Sequence, residues 1–372
     1  MCETEPAVGA ALEGLPGVRP FGRPEELASD WLLNSGIQLT APPEAGGVGG
    51  WKEPGGTVPY SYGEATGYFL TYLRFLQSVS ASADGLPQRM RSAFQWLSTR
   101  WAGPETPVTR RYLDGQQRED WRNGFLFSFD LAMMFRGACC ASPCVGAALS
   151  GPTASGLAGR LRDFVDGDGT LQCARQMRDG PVPERWSLKP GPYQMKAAAA
   201  ILNVPAGVLP GRLRSAAEMT WERWLPFQPS ADLGEDELHP ALYFVEGLLI
   251  GFGTTGDRQQ LRRASAAYRV LCSSAALERC RRSDCIAQAL RSGCLLSNLG
   301  NLDRTGEARL EELAARLAAF QGPDGAVYFA RSAEGRLRHA NAWCSMFAAQ
   351  AWWALGRLRD ASATDALLRY LV

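Results

Sequence analysis

The chain has 372 residues, 46% of them hydrophobic and 21% charged, so it can bury a large core and is not disordered as a whole. Its 39 basic and 38 acidic side chains give a net charge of +1, which excludes a strong overall field for nucleic acid or another polyanion. No apolar run approaches the roughly 18 residues that a membrane helix needs, and the first residues lack the basic and apolar regions of a secretory signal, so we expect a cytoplasmic protein without membrane partners.

The predicted elements begin with residues 1–24, which are rich in glycine, proline and glutamate and are expected to form a flexible arm. A single domain is predicted over 25–372. It opens with a short amphipathic segment at 25–40 and continues, over 41–60, as a loop in which two aromatic residues, Trp51 and Tyr60, favour burial.

Segments of helical period then follow one another from residue 64 to the end, with turn residues between them. The spacing predicts twelve helices, at about 64–79, 86–101, 123–139, 154–165, 192–204, 210–225, 240–252, 257–272, 284–299, 305–320, 340–356 and 361–371. Short strands are predicted near 108–112, 170–174 and 326–330, beside Asp-Gly turns.

Twelve helices in hairpins fit either an open solenoid or a closed ring of six hairpins. A solenoid requires a repeat of fixed period and polar end caps. The predicted hairpins differ widely in length, and their glycine- and aromatic-rich loops suit a ring whose loops gather at one mouth. The sequence therefore predicts an all-α fold, an (α/α)6 toroid of helical hairpins with short β-hairpins in its loops.

Ten cysteines and two histidines limit what the chain can bind. The cysteines show no CxxC and no framework spacing, so we expect reduced thiols, and the cluster of Cys139, Cys140 and Cys144 fits no zinc module. The chain also lacks a Walker A motif, a GxGxxG before a strand and a GxSxG elbow. We therefore predict that the protein uses no metal and no cofactor.

Several segments resemble known enzymes: GGVGGW with VPYSYGEATGYFLTYL, then FSFDLAMMFRG, GPYQMKAAAAIL, LHPALYFVEGLL and HANAWCSMFAAQAWWAL. Together they run through most of residues 46–357, and the chain resembles the six-hairpin (α/α)6 enzymes that act on carbohydrates. The nearest groups are the N-acylglucosamine 2-epimerase-like sugar isomerases and the uronyl C5-epimerases, while six-hairpin glycosidases and polysaccharide lyases share the architecture. In the sugar epimerase group, two histidines from late helices act as acid and base. The resemblance assigns these roles to His239 and His339.

The first candidate site residues surround a glycine at a predicted helix start. Tyr60, Tyr62 and Glu64 place two phenols and a carboxylate there, and the helix dipole stabilises the carboxylate. This grouping suits sugar binding or acid–base catalysis, and it suits equally a helix cap beside core tyrosines.

A second group lies in and before the predicted helix at 123–139. Asp130 stands in an otherwise apolar stretch, so its carboxyl group needs a partner or a raised pKa. Either it pairs with Arg136 or it is an acid that faces the funnel. Trp121 and Arg122, just upstream, are candidate substrate contacts.

A third group combines aromatic and basic residues. Two of the three lysines, Lys189 and Lys196, fall close together with Trp186 and Tyr193, and Arg175 precedes them. These residues could bind a carboxylate or phosphate of a substrate, while solvated surface charge is the alternative for Lys189 and the arginine.

Late helices supply the last candidates. His239, Tyr243 and Glu246 are spaced i, i+4 and i+7, so an imidazole, a phenol and a carboxylate share one helical face. His339 opens another helix as the second proton-transfer candidate or as a loop histidine. In the alternative, its neighbours Asn341 and Trp343 make the substrate contacts, as a hydroxyl partner and a stacking platform.

These residues leave several functions open. The first is a sugar epimerase or isomerase that acts on a small-molecule or oligosaccharide substrate. The second is a glycoside hydrolase or lyase on the same fold, in which Asp130 and Glu246 are the two carboxyl groups. The third is an isoprenoid cyclase-like enzyme or a non-catalytic toroid that binds a glycan or a protein. A polar funnel favours sugar chemistry, an apolar one favours the cyclase, and homodimerisation is left open.

Overall fold

Helical periodicity in the sequence corresponds to helix throughout the computed structural model, which describes residues 22–80, 85–115, 120–332, 334–335 and 339–372. Most of the arm predicted over 1–24 lies outside the described residues, up to residue 21. In chain order, the helices are α1 (Pro24–Asn34), α2 (Gly63–Val79), α3 (Leu86–Leu97), α4 (Ser128–Val145), α5 (Ala147–Arg162), α6 (Gln194–Leu202), α7 (Gly211–Trp224), α8 (Glu235–Thr255), α9 (Arg258–Cys272), α10 (Ala275–Arg279), α11 (Ser283–Asn298), α12 (Arg304–Ala318), α13 (Ala342–Leu355) and α14 (Ala361–Tyr370). The prediction of an all-α fold is confirmed.

Three helices begin five or more residues away from the predicted position. α5 begins at Ala147 rather than at 154, and the other two differ for local reasons. α4 begins at Ser128 rather than at 123, because Phe125–Phe127 pairs as a strand in front of it. α8 begins at Glu235 rather than at 240, since its acidic first turn lies favourably at the positive end of the helix dipole.

Six helices form a closed inner ring. α2, α4, α6, α8, α11 and α13 pack side by side in this order, and α13 packs back against α2. Five helices, α3, α5, α7, α9 and α12, pack on the outside of this ring. The sixth outer position belongs to α1, which packs against α13. This arrangement is the predicted (α/α)6 toroid.

The helix predicted at 361–371 is present as α14, but it is not the outer partner of α13. It packs against four inner helices, α2, α8, α11 and α13, and the residues that follow it, Leu371 and Val372, are fully buried. An amphipathic pattern shows that one helix face is buried without showing what covers it. For this reason the sequence did not reveal that α1 takes the outer position.

Inner and outer helices differ in how they are buried. Every residue of α13 except Trp343 is buried, as expected for a helix surrounded by protein. In the outer helix α9, burial is confined to one stripe that includes Leu261, Ala264, Tyr268 and Leu271. Within the described ranges, no helix is both long and apolar enough to cross a lipid bilayer.

Short strands collect where the inner helices begin. They are β1 (Trp51–Lys52), β2 (Tyr60–Tyr62), β3 (Arg110–Tyr112), β4 (Phe125–Phe127), β5 (Ala174–Gln176) and β6 (Ala340–Asn341). β1 pairs with β6, β2 with β3 and β4 with β5, all antiparallel, so each pair joins two separate loops. Tight hairpins of the predicted kind are present as single bridges, Val165 with Leu171 and Gln321 with Val327, across Asp-Gly turns. Because β2, β4 and β6 run directly into α2, α4 and α13, they hold the first turns of these helices at one mouth.

Close packing of α2 on α4 depends on two glycines. A Cβ built on Gly67 would lie 2.6 Å from the Cα of Met134, and one built on Gly137 would collide with the carbonyl oxygen of Gly67. Backbone atoms cannot move aside as a flexible side chain can. A larger residue at either position must therefore push the two inner helices apart.

Gly67→Ala is expected to lower the free energy of unfolding by about 1–3 kcal/mol, the usual effect of overpacking a core. Differential scanning calorimetry would record this as a lower Tm. The matched control is Gly159→Ala in α5, where no atom lies within 4 Å of the added Cβ. There the helix propensity of alanine should leave Tm unchanged or raise it. Equal Tm values for the two variants would contradict the close approach of α2 and α4.

Candidate active site

The first turns of the inner helices surround a cavity of about 750 Å³ at the strand-bearing mouth. This volume is within the range of small-molecule sites, roughly 300–1,000 Å³. The wall combines carboxyl groups, aromatic rings, guanidinium groups and one imidazole. The sequence-predicted residues that line it are Tyr62, Glu64, Trp121, Arg122, Asp130, Trp186, Tyr193, His239, Tyr243 and Trp343.

Two carboxyl groups enter the cavity from neighbouring inner helices. Glu64 lies in the first turn of α2 and Asp130 in the first turn of α4. The hydroxyl of Tyr62, the last residue of β2, donates to Oδ2 of Asp130 at 3.1 Å. Burial, and then the neighbouring Glu64, raise the pKa of Asp130 well above its ordinary value. Burial also raises the pKa of Glu64, against a hydrogen bond from Tyr62. The pair therefore holds a proton to a higher pH than an ordinary carboxyl group does and can act as an acid.

Asp130 does not pair with Arg136, the ion-pair partner considered from the sequence. Arg136 lies almost two turns further along α4 and donates to the backbone carbonyl oxygens of Arg369 and Leu371. It therefore anchors the end of α14 to the inner ring. Its positive charge therefore does not counteract the rise in the pKa of Asp130 that burial causes.

The imidazole of His239 is the third titratable group in the wall. Its ring centroid is 4.3 Å from that of Tyr243 and 5.7 Å from that of Trp186. Nδ1 is 2.7 Å from Oε1 of Gln288, whereas Nε2 has no hydrogen-bond partner among the described residues. Burial lowers the pKa of His239 to about 4, against the attraction of the nearby Asp284. The ring is therefore neutral at neutral pH and can accept a proton.

Glu246 and Lys196, predicted as a catalytic and a substrate-binding residue, do not line the cavity. Both are fully buried, and Nζ of Lys196 donates to Oε2 of Glu246 at 2.8 Å. Nε of Arg291 donates to Oε1 at 2.7 Å. Burial raises the pKa of Glu246, but Arg291 and Lys196 outweigh burial and hold that pKa below its ordinary value. His239, Tyr243 and Glu246 do share a face of α8, yet that face runs down the ring and places Glu246 beneath the cavity.

His339 and Asn341 lie beside the cavity rather than in its wall. The His339 ring stacks on Trp51 at 4.3 Å and on Phe329 at 5.6 Å, measured between ring centroids. The side chain of Asn341 caps α13 by accepting from the backbone N–H of Cys344 at 3.1 Å. A polar residue at a helix start suits capping as well as substrate binding, so the sequence could not decide between them.

Three further predicted substrate contacts also lie outside the wall. Tyr60 is fully buried behind Arg110, whose guanidinium carbon is 4.6 Å from the centre of the ring. Arg175 and Lys189 are exposed, and each pairs with an acidic side chain. None of the three lies in a helix, so no helical period was available to predict the direction of its side chain.

Sequence reasoning missed an ion pair in the wall. Arg282 donates to both carboxylate oxygens of Asp284, at 3.1 and 2.6 Å. Burial raises the pKa of Asp284, but Arg282 outweighs burial and the pKa falls to about 2. Asp284 is the second residue of α11. The signal that singled out Asp130, an acid at the start of an apolar helix, would have found it.

One cluster beside the cavity contains ligand types that bind metals. His239, Asp284 and Cys285 bring one ligand atom each within 4.8 Å of one another. However, Nδ1 of the imidazole contacts Gln288, and Asp284 accepts from Arg282. A metal ion at this position would have to displace both partners.

Comparison with known proteins identifies the fold. No protein-family model matches the chain, and no curated protein matches it. The structure of the cellobiose 2-epimerase from Spirochaeta thermophila DSM 6192 is similar, with a TM-score of 0.66 and 13% identity over 90% of this chain and 96% of the other. An unsaturated glucuronyl hydrolase specific for heparin has a TM-score of 0.60 and 12% identity over 91% and 98% of the two chains. The GH76A α-1,6-mannanase from Salegentibacter sp. HEL1_6 has a TM-score of 0.58 and 11% identity over 90% and 100%. At these identities the likeness establishes the shared (α/α)6 toroid.

Because Glu246 balances two buried cations, Glu246→Ala is expected to cost about 3–5 kcal/mol of stability, since Lys196 and Arg291 would remain buried without a carboxylate. The measurement is the Tm of the purified variant, or its soluble yield if little folded protein is recovered. Glu235→Ala, at the exposed start of the same helix, is the matched control and should stay within about 0.5 kcal/mol of the parent. An unchanged Tm for Glu246→Ala would show that the buried ions contribute little.

Proposed function

We propose that the protein is a carbohydrate-active enzyme that moves protons on a sugar held in the cavity, as an epimerase or isomerase does. One observation carries this proposal. A neutral imidazole, His239, and a carboxyl group with a raised pKa, Asp130, lie in the same wall. A base and an acid prepared in this way are what proton transfer next to a carbonyl group requires.

Partly exposed tryptophans suit the cavity to sugars. The rings of Trp121, Trp186 and Trp343 lie in the wall, where they can stack on the apolar faces of a pyranose. Arg122 and Arg282 add donors for hydroxyl or carboxylate groups. The three similar structures are described as an epimerase, a glucuronyl hydrolase and a mannanase, which supports chemistry on a sugar or oligosaccharide.

In the proposed reaction, Nε2 of His239 takes the proton from the carbon next to the carbonyl group of an open-chain sugar. The electron pair moves onto the carbonyl oxygen, and the carboxyl group of Asp130 protonates that oxygen to give an enediol. Tyr62 holds Asp130 in place through its hydroxyl group. The carboxylate of Asp130 then takes a proton back from an enediol hydroxyl group as the carbonyl group re-forms. If protonated His239 gives its proton to the neighbouring carbon, the product is the isomer. If solvent water protonates the opposite face of the original carbon and His239 releases its proton to solvent, the product is the epimer.

A second candidate is hydrolysis or elimination at a glycosidic bond, and the pair of Glu64 and Asp130 favours it. Glycosidases use two carboxyl groups, one protonated and one ionised. The phenol of Tyr62 lies beside both carboxyl groups of this pair. Glu64 thereby replaces Glu246 in the hydrolase hypothesis, because Glu246 is engaged in the buried ion cluster.

NMR in D₂O separates the two reactions. The protein is incubated with hexoses, uronic acids and disaccharides, and the products are followed over time. An epimerase or isomerase incorporates deuterium at the carbon next to the carbonyl group and forms a new sugar of the same length. A hydrolase creates a new reducing end without exchange of carbon-bound hydrogen. If no sugar of the panel shows either change, the proposed function is contradicted.

His239→Gln and Asp130→Asn are each expected to lower kcat by about 10²–10⁴-fold, the typical contribution of one acid or base. Steady-state kinetics on the identified sugar measures the loss, and circular dichroism checks that the fold is retained. Asp163→Asn, which changes an exposed acid just after α5, is the control and should keep the parent's activity. Full activity in His239→Gln would remove this residue from the mechanism.

The pH dependence follows from two pKa shifts. The base form of His239 is present above its lowered pKa of about 4 and is lost below it. The acid form of Asp130 is present below its raised pKa and is lost above it. We therefore expect a bell-shaped profile of kcat/KM, with an acidic limb near pH 4 and an alkaline limb well above the ordinary carboxyl range. An acidic limb near 6.5, the ordinary histidine value, would contradict the lowered pKa of buried His239.

A further inference from the structure

Proton transfer by His239 depends on which of its ring nitrogens carries the hydrogen. A neutral imidazole has one N–H and one lone pair, so Nε2 can act as a base only if the hydrogen is on Nδ1. Nδ1 lies 2.7 Å from Oε1 of Gln288, which is fully buried. The partner of Nδ1 therefore decides whether the nitrogen on the cavity side accepts a proton or donates one.

Gln288 could meet the imidazole with either end of its amide. With the oxygen towards the ring, Nδ1 donates and Nε2 is the base. After a half-turn of the amide, Nδ1 would accept from the NH₂ group, and Nε2 would carry the hydrogen and act as an acid. Whatever holds the far end of the amide thus selects between the two roles.

Glu246 occupies that far end. Nε2 of Gln288 donates to Oε2 of Glu246 at 3.1 Å. An ionised carboxylate only accepts hydrogen bonds, so the NH₂ group must face Glu246 and the amide oxygen must face the imidazole. Lys196 and Arg291 both contact Glu246 and keep it ionised against the effect of burial.

Other groups near the imidazole also bear on which ring nitrogen carries the hydrogen. Oδ2 of Asp284 is 3.9 Å from Nδ1, which is too far for a hydrogen bond, but its negative charge beside Arg282 favours a hydrogen on that nitrogen. Sγ of Cys285 is 3.8 Å from Nδ1. Trp186 and Tyr243 contact the imidazole through their rings. Among the described neighbours of Nδ1, the thiol of Cys285 is the group that would donate to this nitrogen in the opposite tautomer.

We propose that Gln288 is the positioning residue that makes His239 a base, and that Glu246 acts through it. The ion cluster under the cavity then has a catalytic consequence, although none of its members lines the cavity. The kinetic part of this inference rests on the proposed function. The position of the hydrogen is a property of the protein alone, so it can be measured without a substrate.

NMR of the full chain labelled with ¹⁵N-histidine tests the tautomer directly. The chain has two histidines, and His339→Gln leaves the signals of His239 alone. At pH 7 we expect a hydrogen on Nδ1 and the chemical shift of an unprotonated nitrogen at Nε2. A hydrogen on Nε2 in the parent protein would overturn the proposal, whether or not any variant at Gln288 folds.

Two substitutions at Gln288 separate positioning from packing. Gln288→Met keeps the length of the side chain but has no oxygen, so we expect a mixture of tautomers and about 10–100-fold lower kcat with little change in KM. Gln288→Glu keeps an acceptor oxygen next to Nδ1, and its second oxygen must carry a proton to meet ionised Glu246, so this variant should retain the tautomer and most of kcat. Cys285→Ala removes a sulfur atom beside the same nitrogen and is the control for the tautomer, which it should not change.

The outcomes distinguish this proposal from the proposed function. An unchanged tautomer in Gln288→Met would overturn the role of Gln288 and transfer it to Asp284. The expected tautomers in all variants would support the positioning by Gln288. If these variants and the parent also show no activity on any sugar, the proposed function alone is contradicted.

Discussion

A single buried carboxylate, that of Glu246, joins the helices beneath the cavity. Lys196 of α6 and both Gln288 and Arg291 of α11 donate to it. Lys196 and Arg291 also donate to the backbone carbonyl of Val372, which follows α14. The charges of this cluster therefore connect three inner helices and the residue that follows α14. Because each ion costs several kcal/mol to remove from water, the arrangement is stable only when every member is present.

Above this cluster, acids in equivalent positions behave in opposite ways. Asp130 and Asp284 stand in the first turns of α4 and α11, and both are buried. The helix dipole favours the ionised form of both, so it cannot explain the difference. Asp284 contacts Arg282 and stays ionised, whereas Asp130 has Tyr62 and a second carboxyl group as neighbours, and its pKa rises. The site obtains an acid and a permanent anion from the same residue type because the partners of the two residues differ.

Periodicity predicted the helices because it reports which face of a helix is buried, and the unequal hairpins with glycine- and aromatic-rich loops predicted the ring. Polar and aromatic residues in and near the helix starts predicted half of the wall. Periodicity does not report depth along the ring. Glu246 shares a face with His239 but lies below the cavity, and that depth depends on where α8 begins and what packs beneath it. Gln288 was not predicted, because a single glutamine inside a helix forms no sequence pattern that indicates a site. Its importance comes from Glu246, a residue 42 positions away in the chain.

Stability alone does not explain why three charges are buried beneath the cavity. Replacing a buried ion pair or triad with apolar residues of similar volume is often neutral or stabilising. By this reasoning, an apolar trio in place of Lys196, Glu246 and Arg291 would fold at least as well. It would also leave the amide of Gln288 without an acceptor at its far end, free to present either its oxygen or its NH₂ group to His239. The burial of these charges is therefore explained by their effect on Gln288 as well as by the packing of the helices. In the proposed mechanism, they determine which nitrogen of the neutral imidazole can accept a proton.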